Sequence, residues 1–291
     1  MPAAPGYGAL LDALRGVSWP ARVASRGATA GTHKSRLRGS SAEFTEYRAY
    51  RQGDDPRRLD WKLLARTDRA YLRITNERAT LPTLLVVDAS ASMRFPAGTA
   101  DKWAQARAVA VGLAGVAHAA GDPVALVVPG SPPRRLPFRA RRGVVSDVAR
   151  VLDGVPPAGD AGLAPVLREQ GRAARLAIVT DLLGDGAALL RVAREQRSRG
   201  VEVVLVHVVA REELDPPAGA RLAEDPEAPE LRRALVGATR EPYRAAFAAW
   251  RAGVARAWRA AGARYVEVVT DEPSERAVRR VVGTSHEGID A

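Results

Sequence analysis

No cysteine occurs anywhere in the 291 residues, so disulfide staples, thiolate metal sites and a cysteine nucleophile are excluded together. Aromatic residues make up only 5% of the chain, and lysine is scarcer still: Lys34, Lys62 and Lys102 are the only lysines among 44 basic residues. A core so short of rings has to be assembled from Val, Leu and Ala on helices and strands. Long apolar runs are also lacking. The longest weakly polar run, Ala108 to Ala120, falls short of the roughly 18 residues that span a bilayer and contains His118. Near the start, Asp12 and Arg15 break up Leu10-Leu11-Asp12-Ala13-Leu14-Arg15, so a signal-peptide pattern is missing as well. A cytoplasmic protein with no membrane span is expected.

Several chemical signatures are absent too. There is no G-x-x-x-x-G-K-[ST] phosphate loop, no G-x-G-x-x-G after a strand and no H-E-x-x-H, which removes the usual support for nucleotide, dinucleotide and zinc-protease chemistry. Of His33, His118, His207 and His286, none stands at metal-ligand spacing from another, and His207 falls inside an apolar strand pattern. The formal charge of +11 raises nucleic acid as a partner. Yet the densest basic cluster, Arg134, Arg135, Arg139, Arg141 and Arg142, has only Phe138 between its members, where single-stranded grooves supply several stacking rings.

What is present is a change of pattern along the chain. Residues 1–30 read as a short helix, Ala9 to Leu14, and a connector. Residues 31–80 read as a small polar β/turn module: strands at Phe44 to Tyr50 and Tyr71 to Ile74 flank a turn and a short helix, Leu59 to Arg66. Within it, Asp residues are suited to cap the helix and Trp61 is expected to plug the module into the main sheet; the alternative is that the acids and arginines of Gly53 to Trp61 form a recognition surface.

From residue 81 to 291 apolar strands alternate with helices. The strands are Thr83 to Asp88, Val124 to Val128, Arg175 to Thr180, Val201 to Val208 and Tyr265 to Thr270; the helices fall at about 101–120, 144–153, 162–173, 187–199 and 241–261. Continuous apolar strands imply a sheet covered on both faces, so the fold class is α/β, a Rossmann-like, doubly wound, mainly parallel sheet with a small N-terminal β-rich appendage. In the last long helix, Tyr243, Phe247, Trp250, Val254 and Trp258 recur at helical spacing, a stripe for the core or for a partner groove. The Pro- and acid-rich stretch near 210–230 reads as an exposed insertion.

The first strand runs into Asp88-Ala89-Ser90-Ala91-Ser92, which places three oxygen-bearing side chains at alternate positions. A kinked loop there can converge the Asp88 carboxylate and the Ser90 and Ser92 hydroxyls on one hard cation such as Mg²⁺ or Mn²⁺. The plainer alternative is that these side chains satisfy loop backbone groups, as Asp and Ser often do in turns. Asp181 ends the third strand, and parallel neighbours would put it on the same sheet edge as Asp88.

The order of segments Gly39-Ser40-Ser41-Ala42-Glu43-Phe44, Tyr47-Arg48-Ala49-Tyr50, Gly53-Asp54-Asp55-Pro56-Arg57-Arg58-Leu59-Asp60-Trp61-Lys62, Ala65-Arg66-Thr67, Glu77 and the Asp88 loop resembles the domain-of-unknown-function family numbered fifty-eight. The likeness covers about residues 20 to 210, and its second part looks like a von Willebrand factor type A domain. That resemblance implies a metal-ion-dependent adhesion site, with Ser90 and Ser92 as direct ligands, Asp88 and Asp181 in outer positions, and a partner carboxylate completing the shell. The threonine such domains supply from a middle loop is replaced at Ala161, where neighbouring Asp160 offers an oxygen instead. The resemblance also implies work beside a MoxR-type AAA+ ATPase in protein assembly or maturation. The expected function is a non-catalytic protein-interaction module. The alternatives are a metal-dependent phosphoester hydrolase, which lacks an evident nucleophile or general base, and an arginine-driven nucleic-acid binder.

Overall fold

Apolar runs too short for helices become buried strands, and the longer amphipathic stretches between them become the helices that cover the strands. The computed structural model describes residues 6–21, 29–34, 44–75, 78–98, 101–160, 162–168, 173–216, 221–224, 232–235 and 237–283. Its strands are β1 (Thr29–Lys34), β2 (Phe44–Ala49), β3 (Tyr71–Thr75), β4 (Arg78–Thr80), β5 (Thr83–Val87), β6 (Val124–Val128), β7 (Arg134–Arg139), β8 (Arg175–Thr180), β9 (Glu202–Val209), β10 (Arg221–Glu224), β11 (Arg232–Leu235) and β12 (Arg264–Val269). Its helices are α1 (Gly8–Ala13), α2 (Trp61–Thr67), α3 (Lys102–Ala119), α4 (Val144–Asp153), α5 (Leu163–Arg168), α6 (Gly186–Ser198), α7 (Arg211–Leu214), α8 (Gly237–Ala260) and α9 (Ser274–Val282).

Six strands form the central sheet in the order β12-β9-β8-β5-β6-β7, all parallel except β7, so the doubly wound α/β sheet expected from the sequence is present. Every residue of β5, β6, β8 and β9 is buried, because both faces are covered. One face packs on α1, α3, α4 and α9 through residues such as Leu14, Leu113, Leu152 and Val278. The other packs on α5, α6 and α8 through Leu167, Leu189 and Trp258. The chain leaves β5 toward β6 on one side and later leaves β8 toward β9 on the other. Strand order therefore reverses between β5 and β8, and a crevice opens at their carboxyl ends.

Strand β7 has no apolar run to announce it. It carries Arg134, Arg135, Arg139 and Pro137 because it is an edge strand, where charge and proline discourage pairing with another chain. Asp147 of α4 gathers the nearby guanidiniums, with Arg141 at 2.6 Å and Arg150 at 3.0 Å. The arginine cluster thus has a structural account.

The N-terminal segment is integral to one face. A Cβ at Gly115 would lie 2.5 Å from Leu11 Cδ2, and one at Gly112 would lie 2.7 Å from Val278 Cγ2 and 3.1 Å from Leu14 Cδ1. The two glycines let α1 and α9 approach α3 closely. In the polar module, β2 and β3 pair antiparallel, Asp60 caps α2 by accepting from Lys62 N and Leu63 N, and Arg48 pairs with Asp54 at 2.7 Å. Trp61 is 63% exposed, however, so it does not plug the module into the sheet; as the first residue of α2 it projects outward instead. Residues near 210–230 include α7 and an antiparallel pair of strands, β10 and β11.

Candidate functional site

Parallel pairing of β5 with β8 sets Val87 beside Val179, so Asp88 and Thr180 emerge as neighbours where both strands end. Asp88 N donates to Val179 O at 2.8 Å, carrying the ladder one step into the loop. The Thr180 hydroxyl donates to Asp88 Oδ2 at 2.6 Å, and Ser90 N donates to Asp88 Oδ1 at 2.9 Å. The second bond turns the chain back on itself, which brings Ser90 Oγ within 3.0 Å of Ser92 Oγ. The loop before α5 then locks this turn through Ala158 N to Ala89 O and Ala91 N to Gly159 O, both 2.8 Å. Asp88, Ser90, Ser92 and Asp181 are all buried.

Asp181 lies one residue beyond Thr180 and is fixed at three atoms. Its Oδ1 accepts from Leu183 N at 3.2 Å, its Oδ2 from Lys102 Nζ at 2.6 Å, and its carbonyl faces His207 Nε2 at 3.2 Å. A carbonyl can only accept, so Nε2 carries the proton and His207 Nδ1 accepts from the Tyr265 hydroxyl at 2.6 Å. Burial keeps this imidazole neutral, pushing its pKa down to about 4. Leu182, between these residues and α6, takes a left-handed backbone with φ +61°, uncommon for a branched side chain.

Lys102 is fully buried, although a charged side chain seldom is unless paired. Its ammonium meets Asp181 at 2.6 Å and Glu213 of α7 at 2.9 Å, and lies 5.8 Å from the Phe95 ring centroid. Burial works against the charge, but Asp181 and Glu213 outweigh it and hold the pKa above the ordinary lysine value. Burial, and after it the Asp181 charge, raises the Asp88 pKa, while the Thr180 and Ser90 donors oppose the rise. One buried ammonium is thus shared between two carboxylates.

A cavity of about 580 Å³ opens over Asp88, Ser90 and Thr180, with Asp160, Arg168 and Arg191 also on its walls. Among the described residues, no three His, Asp or Glu side chains form a group able to hold a metal, so an ion here would depend on the serine hydroxyls. Those hydroxyls fit. Neighbouring oxygens in an octahedral Mg²⁺ shell, each about 2.1 Å from the ion, lie about 3.0 Å apart. The Ser90 and Ser92 hydroxyls stand at that separation while hydrogen-bonded to each other, and Ser90 and Asp88 face the cavity. A shell so thin in protein ligands leaves positions for water and for a ligand from outside.

The structure thus brings Asp88, Ser90, Ser92 and Asp181 to one edge, but gives Asp181 a resident partner that sequence reasoning missed. Asp160 lines the same cavity, whereas Ala161, Glu77 and residues 39–43 lie outside the described residues. The aromatic stripe of α8 divides: Trp258 is core, while Tyr243, Phe247 and Trp250 stack at centroid separations of 5.7 and 5.6 Å, with Trp250 edge-on to His207.

Comparison with known proteins places this chain among uncharacterised relatives. A family model described as "Protein of unknown function DUF58" matches residues 46–254. Uncharacterized protein Rv1480 of Mycobacterium tuberculosis is 30% identical over 289 residues, covering 96% of this chain and 90% of the relative. Among solved structures, the conserved hypothetical protein BatB from Bacteroides thetaiotaomicron gives a TM-score of 0.44 at 15% identity, over 69% of this chain and 97% of BatB. An aerotolerance-related membrane protein from Bacteroides fragilis gives 0.44 at 14% identity, over 69% and 98%. No helix among the described residues is long and apolar enough to cross a membrane.

Proposed function

For this chain, which belongs to the DUF58 family, we propose a non-catalytic protein-interaction module that presents a divalent cation, Mg²⁺ or Mn²⁺, to an acidic side chain of a partner. The observation that carries the reading is the Ser90 hydroxyl, which lines a cavity at the strand-order reversal together with Asp88 and is hydrogen-bonded at 3.0 Å to the buried Ser92 hydroxyl behind it. Ser90 and Ser92 would hold the ion directly; Asp88 and Asp181 would act from behind. When bound, the ion supplies positive charge and unfilled coordination positions for a carboxylate.

The chain's own part is preorganisation. Thr180 and Ser90 N fix the Asp88 carboxylate, the 157–160 loop fixes the serine turn, and His207 fixes the Asp181 backbone. Among the described residues no histidine hydrogen-bonds to Asp88, Ser90 or Ser92 as an evident general base: His207 spends both ring nitrogens on Asp181 O and Tyr265. This favours binding over hydrolysis. The partner we propose is a MoxR-type AAA+ ATPase or its client in protein assembly or maturation, with ATP hydrolysis belonging to that partner.

Two measurements test the proposal. Calorimetry with MgCl₂ and MnCl₂ should show binding by the wild-type chain and none by Ser90→Ala/Ser92→Ala; no heat at millimolar ion rejects the metal. Co-purification with a MoxR-type ATPase should weaken in EDTA and in the same double variant.

A further inference from the structure

We propose that Lys102 is a resident cation of this site, an internal competitor that occupies Asp181 and so holds down the affinity for divalent ions, with Glu213 as its latch. The proposal rests on the cation-presenting reading above and adds a means of tuning it.

The position of Lys102 is electrostatically odd. It is the first residue of α3, where the positive end of the helix dipole disfavours a cation, and its side chain is fully buried. An ammonium in that position persists only if carboxylates compensate it. Two do, and they come from different parts of the fold: Asp181 from the end of β8, at 2.6 Å, and Glu213 from α7, at 2.9 Å. Glu213 is itself anchored, since its other oxygen accepts from Ala210 N at 2.7 Å. One side chain therefore ties together the starts of α3 and α7 and the crevice edge of β8.

Charge balance gives the arrangement its consequence. Lys102 sets one formal positive charge against the two carboxylates that it touches, Asp181 and Glu213, which leaves one formal negative charge on the trio. Asp181, however, is shared. Its Oδ2 is committed to Lys102 and its Oδ1 to Leu183 N, so any ion drawing on this carboxylate works against a buried ammonium that already holds it. Replacing Lys102 frees Asp181; replacing Lys102 and Glu213 together frees it without changing the net charge of the cluster.

The decisive test is calorimetry with MgCl₂ and MnCl₂ on the wild type, Lys102→Met and Lys102→Met/Glu213→Gln, accompanied by melting with and without each ion. Methionine keeps an unbranched chain of similar length in place of the ammonium stem. The double variant leaves no carboxylate without its former partner except Asp181, and it carries the test if the single variant does not fold. The expected result is a tenfold or greater tightening in the double variant, with a larger ion-dependent rise in Tm than in the wild type. A strut with no bearing on the ion would lower Tm in EDTA and leave affinity unchanged or weaker, which overturns the proposal while sparing the reading it rests on. Absence of binding by every variant, the wild type included, overturns both.

Discussion

The Thr180 hydroxyl donates to Asp88 Oδ2 across 2.6 Å and accepts from Leu182 N at 3.0 Å. One hydroxyl thereby joins the ends of two neighbouring strands and holds the carboxylate behind the serines. Thr180→Val keeps the shape but strands a buried amide and removes the strongest donor to Asp88. The expected loss is about 2 kcal/mol by urea denaturation, with weaker Mg²⁺ binding. Thr180→Ser should restore most of both; equal losses in the two variants would assign the effect to packing.

Asp88 is held at a cost. Burial first, then the Asp181 charge, raises its pKa, so the folded state binds a proton more readily than the unfolded chain. Stability therefore falls as pH rises from the ordinary carboxylate value to the raised one, and the deficit persists above it. Asp88→Asn removes the charge while retaining an oxygen for Ser90 N. In EDTA at pH 8 its Tm should equal or exceed that of the wild type, and added Mg²⁺ should no longer raise it. A large drop in Tm without metal would show that the ionised carboxylate stabilises the fold.

His207 runs in the other direction. Its pKa falls from 6.5 to about 4 on burial, so between those values the unfolded chain binds more protons and stability declines as the solution is acidified. From pH 7.5 to pH 4.5 this one group should remove about 2 to 3 kcal/mol. His207→Gln, which cannot titrate, should show a shallower dependence of its urea midpoint over that interval. Matching slopes in the two proteins would assign the acid sensitivity to other groups.

How far the sequence disclosed all this depended on whether burial was uniform or local. The strands β5, β6, β8 and β9 were legible because parallel strands covered on both faces are mostly apolar, β12 because its apolar residues alternate with polar ones, and Asp88 and Asp181 because they interrupt two of the apolar runs at one edge. Strand β7 was hidden, since an edge strand bearing Arg134, Arg135 and Pro137 looks like a loop. Trp61 misled, because an aromatic residue in a polar segment suggests an anchor, yet α2 turns it outward. Lys102 and Glu213 were illegible as a pair: they are 111 residues apart and meet only through the fold. One signal existed. A lone lysine opening an apolar helix in an arginine-rich chain is a choice of compact ammonium over guanidinium, which suits a small buried site.

At the opposite edge of the sheet, Arg175 predicts how the N-terminal segment is held. Its guanidinium is fully buried, stacks 4.1 Å from the Trp19 ring centroid and donates to Trp19 O at 2.9 Å, with Asp122 at 3.5 Å and Glu202 at 3.7 Å. Asp122 in turn accepts from Leu81 N at 2.8 Å, where the chain enters β5. Arg175→Leu would leave Asp122 and Glu202 buried near each other without their cation, at about 3 to 5 kcal/mol. Trp19→Leu would remove the ring face and open a space beneath the sheet, at about 3 kcal/mol. Because the two side chains touch, the double variant should cost less than the sum by about 1 kcal/mol or more in a double-mutant cycle. Strict additivity would mean that the ring–guanidinium contact contributes nothing, and that Arg175 holds the segment only through the Trp19 carbonyl, which Trp19→Leu retains.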